Sequence, residues 1–284
     1  MKEQIFSEHI KFLDSSSQNS NKSPFGDDAK DENAVQETTL STVPKTESIR
    51  RLMETERMYL RNRMIVFLRK YIQKETFSDN STGSNLPSIT LQKSKLEKNI
   101  TFIGFAGSPW TVSTYMIEGQ GSKDHIKTKT FMLQHPEIFD KLILKIEKAT
   151  VEYLSKQIIA GVDAIKIFDS WAGSLPGHYL EKYSLNPMKN IAKELKKRFP
   201  KIPLIVFPRG VGPMYEKFSK MKEFNCIAID SNIDITWAKK NIQKNSVIQG
   251  NLDPAYLVSG GKELVNKTID IVEKFSTAGH IFNL

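Results

Sequence analysis

Five of six short apolar runs in the later part of this chain end in residues able to do chemistry. TFIGFAG (101–107) leads into Gly107 and Ser108, AIKIFDS (164–170) ends in Asp169 and Ser170, and PLIVFPRG (203–210) ends in Arg209 and Gly210. CIAID (226–230) ends in Asp230, and SVIQGNLD (246–253) carries Gly250, Asn251 and Asp253; the sixth run is HIFNL (280–284). A hydroxyl such as Ser170 at a strand-to-helix junction is placed to cap the helix. The same junction offers backbone N–H groups to an anion. Arg209 could meet a carboxylate, although pairing on a surface or loop is the default for it. Asp169 is turned to the opposite side from Ser170 by strand alternation, so a structural role is favoured. Asp253 and Asn251 are expected to hold the loop after their strand.

Other chemistries find little here. The five histidines form no H-x-x-x-H or H-x-C cluster, so no metal site is expected. The single cysteine, Cys226, cannot form an intramolecular disulfide and reads as a buried small apolar side chain, in keeping with a reducing cytoplasm. No G-x-G-x-x-G follows any run, and there is no P-loop. The formal net charge of +9 suits anionic ligands but is read first as a lysine-rich solvated surface. No stretch approaches the ~18 apolar residues of a membrane helix. The start, MKEQIFSEHIKFLD, lacks the pattern of a signal peptide. A soluble cytoplasmic protein is expected, with no nucleic-acid partner.

The elements that must position these residues follow from periodicity. Between the apolar runs lie helix-like segments at 137–160, 185–199, 212–222, 234–243 and 261–276. Near-continuous apolar strands separated by helices imply parallel strands covered on both faces. Such repeated units build either a (β/α)8 barrel or a doubly wound open sheet. Functional-looking tails on many strands favour the barrel, because its strand ends converge on one rim. The fold class expected is therefore α/β, an incomplete (β/α)8 TIM-type barrel with about six of eight strands. Residues 1–46 form a polar extension, disordered over 15–46 by composition. Residues 47–89 read as a basic amphipathic helix (47–75) and a linker, and residues 90–284 as the barrel.

Four blocks make the reading specific. IGFAGSPWTVSTYMIEGQGS (103–122), KIFDSWAG (166–173), VIQGNLDP (247–254) and IFNL (281–284) resemble, in order, motifs of the uroporphyrinogen decarboxylase family. The resemblance covers roughly residues 90–284. It implies a (β/α)8 barrel, usually a homodimer, that removes the carboxylates of four acetate side chains from uroporphyrinogen to give coproporphyrinogen in haem biosynthesis. It implies no metal and no cofactor. Protonating a pyrrole carbon makes the ring an electron sink, and the protein supplies the proton and electrostatic stabilisation. By motif, Tyr115 in STYMIEG matches a family tyrosine that contacts substrate, and Ser170 in FDSWAG matches a residue that hydrogen-bonds a substrate carboxylate. Phe105 is expected to line the cleft or to pack in the core.

The sequence also departs from the family. No segment matches the family's M-R-Q-A-G-R-Y, with its two substrate-binding arginines; METERMY (53–59) shares only Met and Tyr in register. FSDNS (77–81) imitates three letters of F-S-D-I-L, whose aspartate grips pyrrole N–H groups, but no strand pattern precedes it. The family's IFNL leads into Gly-His-Gly, and this sequence stops at Leu284. No catalytic residue is therefore assigned, and little activity is expected of the chain as given. One alternative is a non-catalytic fragment that binds an acidic tetrapyrrole or a partner protein. Another is a related methyltransferase, which would need a zinc-binding His/Cys motif, and Cys226 alone does not provide one.

Overall fold

The computed structural model describes residues 87–97, 99–119 and 122–283. The proposed polar extension and the basic helix at 47–75 lie outside these residues. Six strands form one parallel sheet: β1 (Ile103–Gly107), β2 (Ala164–Asp169), β3 (Leu204–Pro208), β4 (Cys226–Ala228), β5 (Val247–Gln249) and β6 (His280–Ile281). Their order in space is their order in sequence, β1-β2-β3-β4-β5-β6. A doubly wound sheet reverses direction at a switch point, and this one does not. Sequential parallel strands with a helix after each are the arc of a TIM-type barrel. The architecture expected from the sequence is the one observed, with β1 and β6 each paired on one side only among the described residues.

Each run became a strand because its alternate residues meet two different layers. Ile165, Ile167, Leu204, Val206, Ile227 and Ile248 are fully buried on the helix side. They belong to one large core with the main covering helices: α1 (Pro87–Lys95), α2 (Pro109–Glu118), α3 (Ile126–Gln134), α4 (Pro136–Ile159), α5 (Asn186–Arg198) and α6 (Gly261–Phe275). Helix α4 presents Phe139, Ile143, Val151 and Leu154 to that core at three- to eight-residue steps along one face. The opposite, concave face carries a smaller cluster of Ile205, Cys226 and Ala228, with Phe207 and Val247 against it. Sequence patterning put a linker up to residue 89, but helix α1 already begins at Pro87. Proline is well suited to a first helical turn, where its missing N–H is not needed. Lys93 of that helix pairs with Asp163 at 2.5 Å, and the Asp163 carboxylate also accepts the Phe102 N–H at 2.7 Å.

The β1 edge is partly closed. The carbonyl of Phe102 accepts from Asp163, and the N–H of Ser108 donates to Phe168, so even-numbered residues of this segment face β2. Phe105 therefore turns its backbone groups outward, where the Gln157 amide from α4 satisfies both: Phe105 N–H donates to Oε1 at 2.9 Å and Nε2 donates to Phe105 C=O at 3.0 Å. Gly104 is what lets that amide approach, since a Cβ there would lie 2.4 Å from Gln157 Oε1. The β1 edge thus has an internal cap at its centre.

Candidate active site on the concave face

Tyr115 is placed by helix α2. Ser108 caps this helix by accepting the Thr111 N–H at 3.2 Å, and Pro109 occupies its first turn. Gly119 ends it in the left-handed region (φ 79°), its N–H donating to the Tyr115 carbonyl. Between those stops Trp110 and Met116 are buried while Tyr115 is 45% exposed. Its ring lies 6.3 Å from that of Trp171, the residue after Ser170.

Ser170 follows β2 on the loop that Asp169 anchors. Asp169 is fully buried and accepts from Thr111 Oγ1 at 2.6 Å and Ser184 Oγ at 2.5 Å. Burial pushes its carboxyl upward, and the hydroxyls of Ser184, Thr111 and Ser108 oppose that shift. Asp169 is thus a structural clasp between the start of α2, the end of β2 and the entry to α5. Ser170 itself is half-buried, and among the described residues its hydroxyl has no hydrogen-bond partner. It is not a helix cap: the short turn Ala172–Ser174 begins at Trp171 without side-chain capping. Capping falls instead to Ser108, Asp234 and Asp253.

Phe105 is not packed in the core, being 61% exposed with its ring 5.9 Å edge-on from Phe168. Phe168 meets Phe207 in the same way at 6.2 Å. An aromatic row thus crosses β1, β2 and β3 on the concave side. The other rim residues hold loops. Asp230 accepts from Gly210 N–H at 2.9 Å and from the Tyr215 hydroxyl at 2.8 Å, and burial, aided by the Asp230 charge and that bond, pushes Tyr215 upward. Asn251 Nδ2 donates to the carbonyls of Ile233 and Asp230, and Asp253 caps the next helix. Arg209 is exposed at the rim, without an ion pair among the described residues.

Two features escaped the sequence reading. Lys166, in the middle of β2, is 7% exposed, with its ammonium 4.6 Å above the Phe168 ring and 5.4 Å from that of Phe207. Burial lowers its amine to about 8. A lysine in the middle of an apolar run, rather than at its end, was the signal available in AIKIFDS. The second feature is His125, a buried residue at φ 53° whose ring packs 4.8 Å from Trp171. Neither of its ring nitrogens has a partner, nor does Trp171 Nε1. Among the described residues no three His, Cys, Asp or Glu side chains gather as metal ligands. No described helix is long and apolar enough to cross a membrane.

Comparison with known proteins decides the family. Residues 63–284 match the uroporphyrinogen decarboxylase (URO-D) family. The chain belongs to that family. Curated uroporphyrinogen decarboxylases from Rhodobacter capsulatus and Paracoccus denitrificans are 48% and 46% identical to it over 191 and 190 residues. That from Jannaschia sp. is 45% identical over 197 residues. These matches take in 67–69% of the chain, and they span 56–57% of the length of the relatives. A methyltransferase from Methanosarcina mazei shares the fold, with a TM-score of 0.57 at 16% identity over 69% of this chain and 55% of that one. The family match reaches further than the motif resemblance. It begins at residue 63 rather than about residue 90, and so takes in the FSDNS segment that context had set aside. Residues 63–86 lie outside the described part of the structure.

Proposed function

We propose that this chain is a uroporphyrinogen decarboxylase homologue whose concave face binds uroporphyrinogen, the family reaction being its decarboxylation to coproporphyrinogen in haem biosynthesis. The observation that carries this reading is the arrangement of the family blocks. Three of them run past the ends of β1, β2 and β5, strands of one parallel sheet, and they contain Phe105 and two hydroxyls, Tyr115 and Ser170, without hydrogen-bond partners among the described residues. In this reading Phe105 is an apolar wall for the macrocycle, and Tyr115 and Ser170 donate to its carboxylates. The barrel unit is residues 90–284, preceded by a polar extension (1–46) and a basic helix with linker (47–89). Family membership also supports a cytoplasmic homodimer that works without metal or cofactor.

A second reading, binding without turnover, is favoured by one observation. On the described strands the concave face carries no carboxylate that could stabilise a protonated pyrrole. One experiment separates the two. The chain is incubated anaerobically with uroporphyrinogen, products are resolved by carboxylate number, and binding is followed in parallel by fluorescence of uroporphyrin. Coproporphyrinogen formation establishes the decarboxylase, and binding alone establishes the second reading. Absence of both overturns the proposal.

A further inference from the structure

Lys166 is a cation in an unusual position. It stands at the centre of β2, beside Phe105 of β1 and Ile205 of β3 in the sheet register. It is 93% removed from solvent, yet among the described residues no carboxylate and no hydrogen-bond acceptor pairs with its ammonium. What it has instead are two aromatic faces, Phe168 and Phe207. Cation–π contact offsets only part of the desolvation of an ammonium. A buried charge of this kind is normally paired. The place where a partner could arrive is visible, because the neighbouring Phe105 ring is 61% exposed and opens onto the concave cleft. Across the same face the Oε1 of buried Gln249 is also without a partner. Two polar groups on one concave surface thus await a ligand, and one of them is positively charged.

We propose that Lys166 is the floor cation of the concave face and takes a carboxylate of a polycarboxylated tetrapyrrole as its counter-ion. The assignment rests on the reading above and adds a specificity residue to it. A ligand with more carboxylates, once seated over the aromatic row, has more ways to place one on the amine. The site therefore favours an octacarboxylate over a tetracarboxylate. The aromatic contacts keep the ammonium extended along the ring row, so that the incoming anion displaces little ordered structure.

The amine of the free protein loses its proton near pH 8. Among the described residues the groups facing it are Phe105 and Ile103 on β1, Ile205 and Phe207 on β3, and the Cys226 thiol on β4. Burial holds that thiol up at about 12, so it stays protonated across the useful range. An anion binds the charged amine. Affinity is therefore constant below about pH 8 and falls as pH rises through that value, while the ligand carboxylates remain ionised throughout.

The test uses the full chain and two probes, uroporphyrin and benzenehexacarboxylate, with Kd measured from pH 6.5 to 9.5. Lys166→Met preserves the shape of the stem and should weaken uroporphyrin binding roughly ten- to hundredfold at pH 7 and abolish the step near pH 8. Lys166→Arg should keep most of the affinity and move the step out of the range. Circular dichroism and thermal melting check that both variants fold. If the wild type binds uroporphyrin and Lys166→Met binds equally well with the same pH step, the assignment of Lys166 is overturned while the binding reading stands. If uroporphyrin fails to bind but benzenehexacarboxylate binds in a Lys166-dependent way, the cation site stands and the tetrapyrrole reading falls. If neither probe binds, both are overturned.

Discussion

On the helix side of the sheet, Ile165, Ile167, Leu204, Val206, Ile227 and Ile248 are fully buried, and the one carboxylate on the described strands, Asp169, is met by two hydroxyl donors. On the concave side of the same strands, Phe105 is 61% exposed, Gln249 Oε1 has no partner and Lys166 is a buried cation without an anion. The strands are shared, so the contrast cannot come from backbone geometry. It comes from which alternate residue each strand turns which way. One face is complete in itself and holds the fold. The other is left with exposed and unpaired groups on the described strands. Stability and binding should therefore respond to mutation on opposite faces.

The largest effects belong to the helix side. Phe139→Ala should lower the unfolding free energy by about 3–5 kcal/mol, because this fully buried ring packs on Trp110 and Tyr183 and leaves a cavity when removed. Asp169→Ala should cost about 3 kcal/mol by stranding the Thr111 and Ser184 hydroxyls in the core. Urea titration measures both. Values under 1 kcal/mol would mean that the outer layer is not what holds the fold.

The next effect has the opposite sign. Lys166→Met should stabilise the chain by about 2 kcal/mol at pH 7, since it removes a desolvated charge from the inner face. Folding depresses the amine from 10.5 to about 8, so the folded state binds fewer protons between those values. Stability of the wild type therefore rises with pH through that window. The penalty is fully present below about pH 8, and the advantage of the methionine variant should vanish by about pH 10.5. Equal stability of the two proteins at pH 7 would show that the ammonium already has a partner.

Tyr115→Phe and Ser170→Ala each delete one hydroxyl that makes no internal bond. Stability should be unchanged, and porphyrin binding should weaken by about 1 kcal/mol, or about fivefold in Kd. Unchanged affinity in either variant removes that residue from the site.

The sequence made the outer face far more legible than the inner one. Apolar runs announced the six strands, and the tails of those runs announced the rim, because burial on the helix side needs nothing beyond hydrophobic periodicity. The role of Asp169 followed from alternation alone. Helices α2 and α3 were not read, since TVSTYMIE and IKTKTFML lack a strong polar–apolar rhythm and are fixed by their caps and by packing. Ser170 was legible as a rim residue, but its freedom from capping duty was not, because that depends on Trp171 starting the next turn. Lys166 was passed over because a strand pattern tolerates one charge. Its lack of a partner is a fact about three neighbouring strands, which no local window contains.

The smallest expected effect is the sharpest test of the contrast between faces. Phe105 is a large aromatic side chain in a sheet strand, and on the helix side its loss would unfold a marginal domain. Here its backbone is held by the Gln157 amide and by pairing to β2, neither of which involves the ring. The ring contributes one edge contact to Phe168 and is otherwise open. Phe105→Ala should therefore change the unfolding free energy by less than about 0.5 kcal/mol, within the range of ordinary surface substitutions. The same variant should weaken uroporphyrin binding, because the macrocycle loses an apolar wall. A loss of 2 kcal/mol or more in stability would mean that the ring is covered in solution by other parts of the protein. The concave face would then be core, and Lys166 and Ser170 would have to find their partners within the protein rather than in a ligand.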